Sequence, residues 1–486
     1  MSDIYVGHFR LVWDRLHDGP RAFRIIEGAR GRTLLDSIRY ARQSGAVTTE
    51  TAADLEIARL QRTLLHERLS AVQTRRILAQ LDDAYDRMIP NDYANERKEM
   101  HLLRRPPVTL AVLQSRLGPN ETFVEYVLDK KTSYALEVTK TGLAVHNLPS
   151  RTEIGQSARS FVAAVRSQGD CKPSAQALYL RVISPAVNGN PTSLIVVPDG
   201  PLHLVPFGAL MDAKGAYLDQ HMTLSAAPSA TVYCMLKATS RLAAASKPFL
   251  GVASSPTTAD NAKPSAAANE ISQLRGADLK PLQFGREEII EAAKAFGPGS
   301  VTLDGSAATE AALKAQPLGD FKVIHLAAHG ISNELEPERA ALLFAPGRES
   351  EDGLWQAREI RHTRLKADAV VLSACETGSG RLQGQEGVMN LARAFLTAGA
   401  KSVVASLWAV DDRSTATVME SFYQHLRAGL DVSDSLRQAQ LDFIRDYKEK
   451  AKPYFWAGFV VIGDGTRRIN FETNKTDLRA AHSDFR

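Results

Sequence analysis

Residues 321–330 read FKVIHLAAHG, residues 367–380 read ADAVVLSACETGSG and residues 401–410 read KSVVASLWAV. Each is a short apolar run that ends on a small or chemically active residue. Val323 to Ala328, interrupted once by His325, delivers His329 and Gly330. Ala369 to Ala374 delivers Cys375, and Ser402 to Leu407 delivers Trp408 with Asp411 and Asp412 just beyond. Short runs rich in Val and Ile, bounded by Gly and Ser, predict buried parallel strands. Open parallel sheets bind ligands beyond the carboxyl ends of their strands. A thiol attacks as its thiolate, and a neighbouring imidazole can take its proton. His329 and Cys375 stand 46 residues apart (375 − 329), a spacing that one crossover between neighbouring parallel strands produces. They are read as a nucleophile–base dyad. Gly330 and the backbone at Cys375 are the expected oxyanion donors.

Working outward, residues 238–467 alternate strand and helix: strands at Phe249–Ala253, Ser300–Leu303 and Gly458–Ile462, helices at Glu288–Phe296, Ser306–Ala315 (capped by Ser306), Arg413–Arg427 and Val432–Tyr447. That order predicts a mostly parallel sheet with helices on both faces. Residues 1–105 carry apolar residues at helical spacing, among them Phe23, Ile26, Leu34 and Ile38, then Leu55, Ile57, Leu60 and Leu64, with a third helix from Leu69 to Met88. Arg104-Arg105-Pro106-Pro107 closes this helical region. From 106 to 237 a short helix at Leu110 precedes two or three antiparallel strands in ETFVEYVLDKKTSYALEVTKTGLAVHNLP. A helix at Ile154–Arg166 and a buried strand at Leu194–Val197 follow. The turn Pro198-Asp199-Gly200-Pro201 leads into an apolar return, Leu202–Leu210, that is expected to close over another part of the chain. Residues 468–486 read as a polar, frayed tail.

Composition bounds the function. A chain of 486 residues accommodates two or three domains. A net charge of +4 is too small to argue for direct nucleic-acid binding. Three cysteines, Cys171, Cys234 and Cys375, do not make a disulfide framework. No run reaches the ~18 apolar residues of a membrane span. A reducing cytoplasm is the expected setting, with no membrane partner. No metal-ligand cluster appears, and Gly378-Ser379-Gly380 lacks the third glycine of a dinucleotide fingerprint, so no cofactor is expected. Cys171, Cys234 and His325 read as buried structural residues.

The motifs VIHLAAHG, VVLSACETGSG, GQEG, LARAFLTAGAKSVVASLWAV and DDRST, in this order, resemble the CHAT domain, a caspase-like cysteine peptidase domain related to caspases and separase. VPDGPLHLVPFGAL and AFRIIEGARGRTLLD resemble upstream parts of that family, so the resemblance runs from about residue 20 to 465. It implies an α/β caspase-like fold: a mostly parallel sheet flanked by helices, a catalytic unit at 238–467, a degenerate companion sheet at 106–237 and an N-terminal helical region that gates the enzyme or binds a regulatory protein. It implies peptide-bond hydrolysis by His329 and Cys375 on a partner protein, in a bacterial defence or regulated cell-death system. SACETG keeps the Ala-Cys of a caspase signature but not its Gln, so specificity for Asp is not implied. Asp411 and Asp412 read either as an acidic pocket for a basic side chain, as in separase relatives, or as a helix cap. Trp408, Ser406 and Glu376 complete the expected substrate contacts, although for Glu376 a solvated loop charge is the favoured reading. The alternative to an enzyme is a non-catalytic caspase-fold scaffold that binds partner proteins.

Overall fold

The computed structural model describes residues 3–30, 34, 38, 52–66, 69–70, 72–85, 87, 106–238, 245–254, 282, 284–331, 337–345, 351–373 and 387–471. In chain order the strands are β1 Glu121–Val127, β2 Ser133–Val138, β3 Leu143–Leu148, β4 Ser193–Val197, β5 Thr223–Ala226, β6 Lys247–Ala253 and β7 Val301–Asp304. Then come β8 Phe321–Ala327, β9 Gly330–Ile331, β10 Ala341–Leu343, β11 Leu354–Gln356, β12 Ala369–Leu372, β13 Ser402–Ser406 and β14 Phe459–Gly463.

Eleven of these form one sheet, ordered β3-β2-β1-β4-β5-β14-β13-β12-β8-β6-β7. From β13 to β7 every pairing is parallel. β14 pairs antiparallel with β13, so the strands from β14 through β5 to β4 and β1 run the other way. The expected companion strands of 106–237 are therefore the far half of one continuous sheet. The two halves meet at a single register pair, Ile462 with Ala226. Beside this seam lies a cavity of about 60 Å³, walled by Leu202, Val205, Leu224 and Phe459. The apolar return after Pro201 is two short 3-10 turns, Gly200–Leu204 and Phe207–Ala209.

Alternation along the strands builds two cores. Val323, Val371 and Val404 point to one face, under helices Gly285–Phe296, Asp412–Arg427 and Val432–Tyr447. Ile324, Leu326, Val370, Leu372 and Val403 point to the other, toward helix Gly387–Ala398. Each such side chain contributes about 1.5–3 kcal/mol on burial, which is why both faces must be covered and the strands read as unbroken apolar runs. Helix Asp412–Arg427 shows the matching 3.6-residue stripe: Thr415, Val418, Met419, Phe422, Tyr423 and Leu426 are buried. Helices Asp3–Leu16 and Gly19–Ala29 lay Phe9, Phe23 and Ile26 on β1 and β4. Helix Ala52–His66 and the helix over residues 72–85 close on each other through Ile57, Leu60, Leu64, Leu81, Ala84 and Tyr85. Leu55 lies outside that stripe and is 48% exposed.

Three local expectations change. The helix expected at Ser306–Ala315 is a 3-10 turn followed by a short helix, Glu310–Lys314, capped by the Thr309 side chain rather than Ser306. The chain leaves helical geometry at Ala308 because its carbonyl accepts the Ala345 N–H and Thr309 bridges to Ala345. The start of the expected frayed tail is docked: Ile469 is buried and the Phe471 ring lies 4.6 Å from that of Phe296. Residues 472–486 lie outside the described residues. Finally, β9, β10 and β11 form a separate three-stranded antiparallel sheet that the sequence reading did not foresee.

Candidate active site

β8 and β12 are neighbours, parallel and in register from Val323–Ala369 to Leu326–Leu372. The chain that leads to His329 and the chain that leads to Cys375 therefore leave the sheet side by side at one rim. His329 is 4% exposed. Its carbonyl accepts the Leu343 N–H at 2.8 Å, and Gly330 then pairs with Leu342, so the turn from β8 into the small sheet holds the histidine's backbone on both sides. On the partner strand the described chain reaches Ser373, whose N–H meets the Leu326 carbonyl at 3.3 Å. Cys375 and Glu376 lie outside the described residues, as do Gly378 and Gly380.

Just beneath this rim is a buried polar group on the face covered by helices. His325 is 0% exposed. Its Nε2 is 2.9 Å from Ser373 Oγ and 3.1 Å from Glu288 Oε1, and the Tyr423 hydroxyl is 2.6 Å from Nδ1. Burial, with Glu288 nearby, pushes the Tyr423 hydroxyl well above the ordinary phenol range. The expectation that His325 is internal agrees with this placement. Its partners come from three other elements and were not foreseen.

The acidic pair divides its work. Asp411 is the N-cap of helix Asp412–Arg427 and accepts the Ser414 N–H at 3.1 Å. Asp412 accepts the Phe284 N–H at 2.8 Å, which ties this helix to the start of helix Gly285–Phe296. Trp408 is 1% exposed, donates its indole N–H to the Tyr454 carbonyl at 3.0 Å and stacks on the Tyr454 ring. Ser406 is buried as well, and its hydroxyl bonds the Trp408 carbonyl. Both side chains are packed in the interior, Ser406 at the end of β13, a central strand covered on both faces.

The small sheet that follows His329 is gripped from outside. Tyr85, 3% exposed, receives hydrogen bonds from Gln356 Nε2 at 2.7 Å and Gln61 Nε2 at 3.0 Å. The Arg339 guanidinium sits 3.9 Å from the Tyr85 ring centroid and pairs with Asp82, while Arg358 pairs with Asp54. Next to β11, Lys314 bridges Glu310, Glu351 and Glu359. Burial and Glu359 push the Asp352 carboxyl up to about 7. Glu310, also buried beside Glu359, is held well above the carboxylate range. Apart from the i,i+4 pair Lys314–Glu310, these contacts join residues 24 to 304 positions apart and carry no local sequence signal.

The other two cysteines are poor nucleophiles. Both are buried; burial raises the Cys171 thiol and pushes Cys234 up to about 12. Among the described residues no three His, Cys, Asp or Glu side chains are grouped to hold a metal, and no helix is long and apolar enough to cross a membrane.

Comparison with known proteins places this geometry in context. The model of the CHAT domain matches residues 172–464. Tetratricopeptide repeat protein 28 from Mus musculus is 27% identical over 354 residues, which span 62% of this chain and 14% of that protein. Its Homo sapiens counterpart is 26% identical over 354 residues, 62% of this chain and 13% of that protein. The chain thus corresponds to a small part of the length of these relatives. Among solved structures, a Saccharomyces cerevisiae separase–securin complex superposes with a TM-score of 0.48 at 9% identity, covering 94% of this chain and 40% of that one. The Arg-specific cysteine proteinase gingipain R superposes with a TM-score of 0.39 at 9% identity, covering 73% and 79%.

Proposed function

The chain belongs to the CHAT domain family, whose model matches more than half of it, and we propose that it is a cysteine endopeptidase with His329 and Cys375 as its dyad. The observation that carries this reading is the parallel pairing of β8 with β12, which ends the His-bearing and Cys-bearing strands together. Ser373 is described at that rim and precedes Cys375 by two residues in the sequence.

The thiolate of Cys375 attacks the scissile carbonyl carbon. The carbonyl oxygen becomes an oxyanion, met by backbone N–H groups at Gly330 and Cys375. His329 takes the thiol proton and returns it to the leaving amine, so the C–N bond breaks and a thioester remains. Water, deprotonated by His329, then attacks the thioester carbonyl and frees the acid product and the thiol. Asp411 caps its helix and Asp412 accepts the Phe284 N–H; of this acidic pair, Asp412 is the candidate kept for a basic side chain before the cut. The substrate is a partner protein, and a reducing cytoplasm keeps the thiol available. A role in bacterial defence or regulated cell death belongs to the same reading.

A thiol-reactive peptide probe tests it. Labelling confined to Cys375 and lost in His329→Ala is the expected result. Equal, His329-independent labelling of all three cysteines refutes the enzyme and leaves a scaffold. The scaffold has one observation in its favour: the curated relatives are named for tetratricopeptide repeats, a class that presents extended binding surfaces.

A further inference from the structure

We infer that His325 and Ser373 are positioning residues for the strand end that carries the nucleophile: His325, braced by Tyr423 and Glu288, latches the Ser373 hydroxyl and so fixes where the chain leaves β12. This rests on the reading of His329 and Cys375 as the dyad.

The argument starts from what packing alone requires. His325 occupies a position of β8 whose neighbours on the same face are Val323, Val371 and Phe249, all in one apolar cluster. An aliphatic residue there would pack at no polar cost. The chain instead buries an imidazole, a carboxyl, a hydroxyl and a phenol together. Such a group is costly unless every member is satisfied, and when satisfied it specifies one geometry.

Here His325, Ser373 and Tyr423 are hydrogen-bonded to one another, and that geometry runs toward the site. Tyr423 retains its proton. In the tautomer with the ring hydrogen on Nε2, Tyr423 donates to Nδ1 and the ring donates to Ser373 Oγ. Glu288 Oε1 lies 3.1 Å from the same nitrogen without the alignment of a hydrogen bond. Ser373 needs the tie. It follows the last ladder residue of β12, and its backbone bond to Leu326 is long at 3.3 Å. The side-chain bond adds a second anchor, across strands, two residues before Cys375. A reacting group held by a strand end is only as well placed as that end, and a displacement of about 1 Å costs on the order of a hundred-fold in rate.

The test is the iodoacetamide alkylation rate of Cys375 in the full chain, followed by peptide mass spectrometry from pH 5 to 9. Ser373→Ala and His325→Gln are expected to slow it by roughly ten- to a hundred-fold, with an altered pH profile and native circular dichroism. Ser373→Thr, which restores the hydroxyl, is expected to recover most of the rate. A merely structural role would lower the melting temperature and leave the alkylation rate and its pH profile unchanged. Wild-type alkylation that depends on His329, together with an unaltered rate in Ser373→Ala, overturns the latch and leaves the dyad standing. Wild-type alkylation indifferent to His329→Ala overturns the dyad and the latch with it. Should His325→Gln not fold, Ser373→Ala and Tyr423→Phe decide the matter.

Discussion

Replacing Tyr85 separates the N-terminal hairpin from the small sheet that follows His329. Tyr85 is buried between Gln61 of its own hairpin and Gln356 of β11, under the Arg339 guanidinium. Tyr85→Phe keeps the ring and leaves two buried amide donors without an acceptor, a cost of about 1–3 kcal/mol. Tyr85→Ala also deletes the ring from the Ile57–Leu60–Leu64–Leu81 cluster, adding a cavity cost of about 3–5 kcal/mol and the loss of a cation–π contact of about 0.5–2 kcal/mol. The ion pairs Arg358–Asp54 and Arg339–Asp82 remain. They are too few to compensate, because partly exposed pairs contribute only about 0–1 kcal/mol each. Since 1.4 kcal/mol is tenfold in an equilibrium, local opening rises by roughly five- to a hundred-fold in the Phe variant and by about a thousand-fold or more in the Ala variant. Hydrogen exchange read by mass spectrometry reports this directly. Peptides within 52–85 and 339–358 are expected to exchange faster, while β1, β4 and β14 are unchanged. Uniform acceleration across the whole sheet, or none in either segment, refutes the reasoning.

Other predictions follow from single contacts. The Asp352 carboxyl, with its folded pKa pushed up to about 7 from an ordinary 3.8, binds more protons folded than unfolded between those values. Stability contributed there is present at low pH and is lost as pH rises toward 7, so Asp352→Asn should melt higher than wild type at pH 8 and no higher at pH 3.5. An added Cβ at Gly251 would come within 2.7 Å of Ile289 Cβ and the Phe249 ring. Gly251→Ala should therefore lower stability by about 1–3 kcal/mol in denaturant titration, and a neutral outcome would show that helix Gly285–Phe296 shifts freely. Asp412→Ala should abolish any preference for Arg or Lys before the scissile bond in a peptide library; an unchanged preference removes the acidic pocket. Asp411→Ala, by contrast, should leave preference intact and cost about 1 kcal/mol of stability as a lost cap.

The apolar runs of β8, β12 and β13 were legible in the sequence, because strands buried on both faces cannot hide their composition. The ends of those runs, and with them the placement of His329 at a sheet rim, followed from the same pattern. So did the helix Val432–Tyr447, whose start and stop are written in its cap and its spacing. Tertiary structure decided the rest. Nothing local marks β14 as antiparallel to β13, since either direction buries the same side chains. Trp408 follows β13 and Ser406 ends it; that both are buried under the covering layers is not written in the local sequence. His325 looked alone in an apolar strand, yet Glu288, Ser373 and Tyr423 converge on it from three separate elements. Tyr85 meets Gln356 across 271 positions of chain. Composition and period dictate which residues are buried, whereas the partner of a buried polar group depends on which distant elements the packing brings together, and that is settled only when the chain closes.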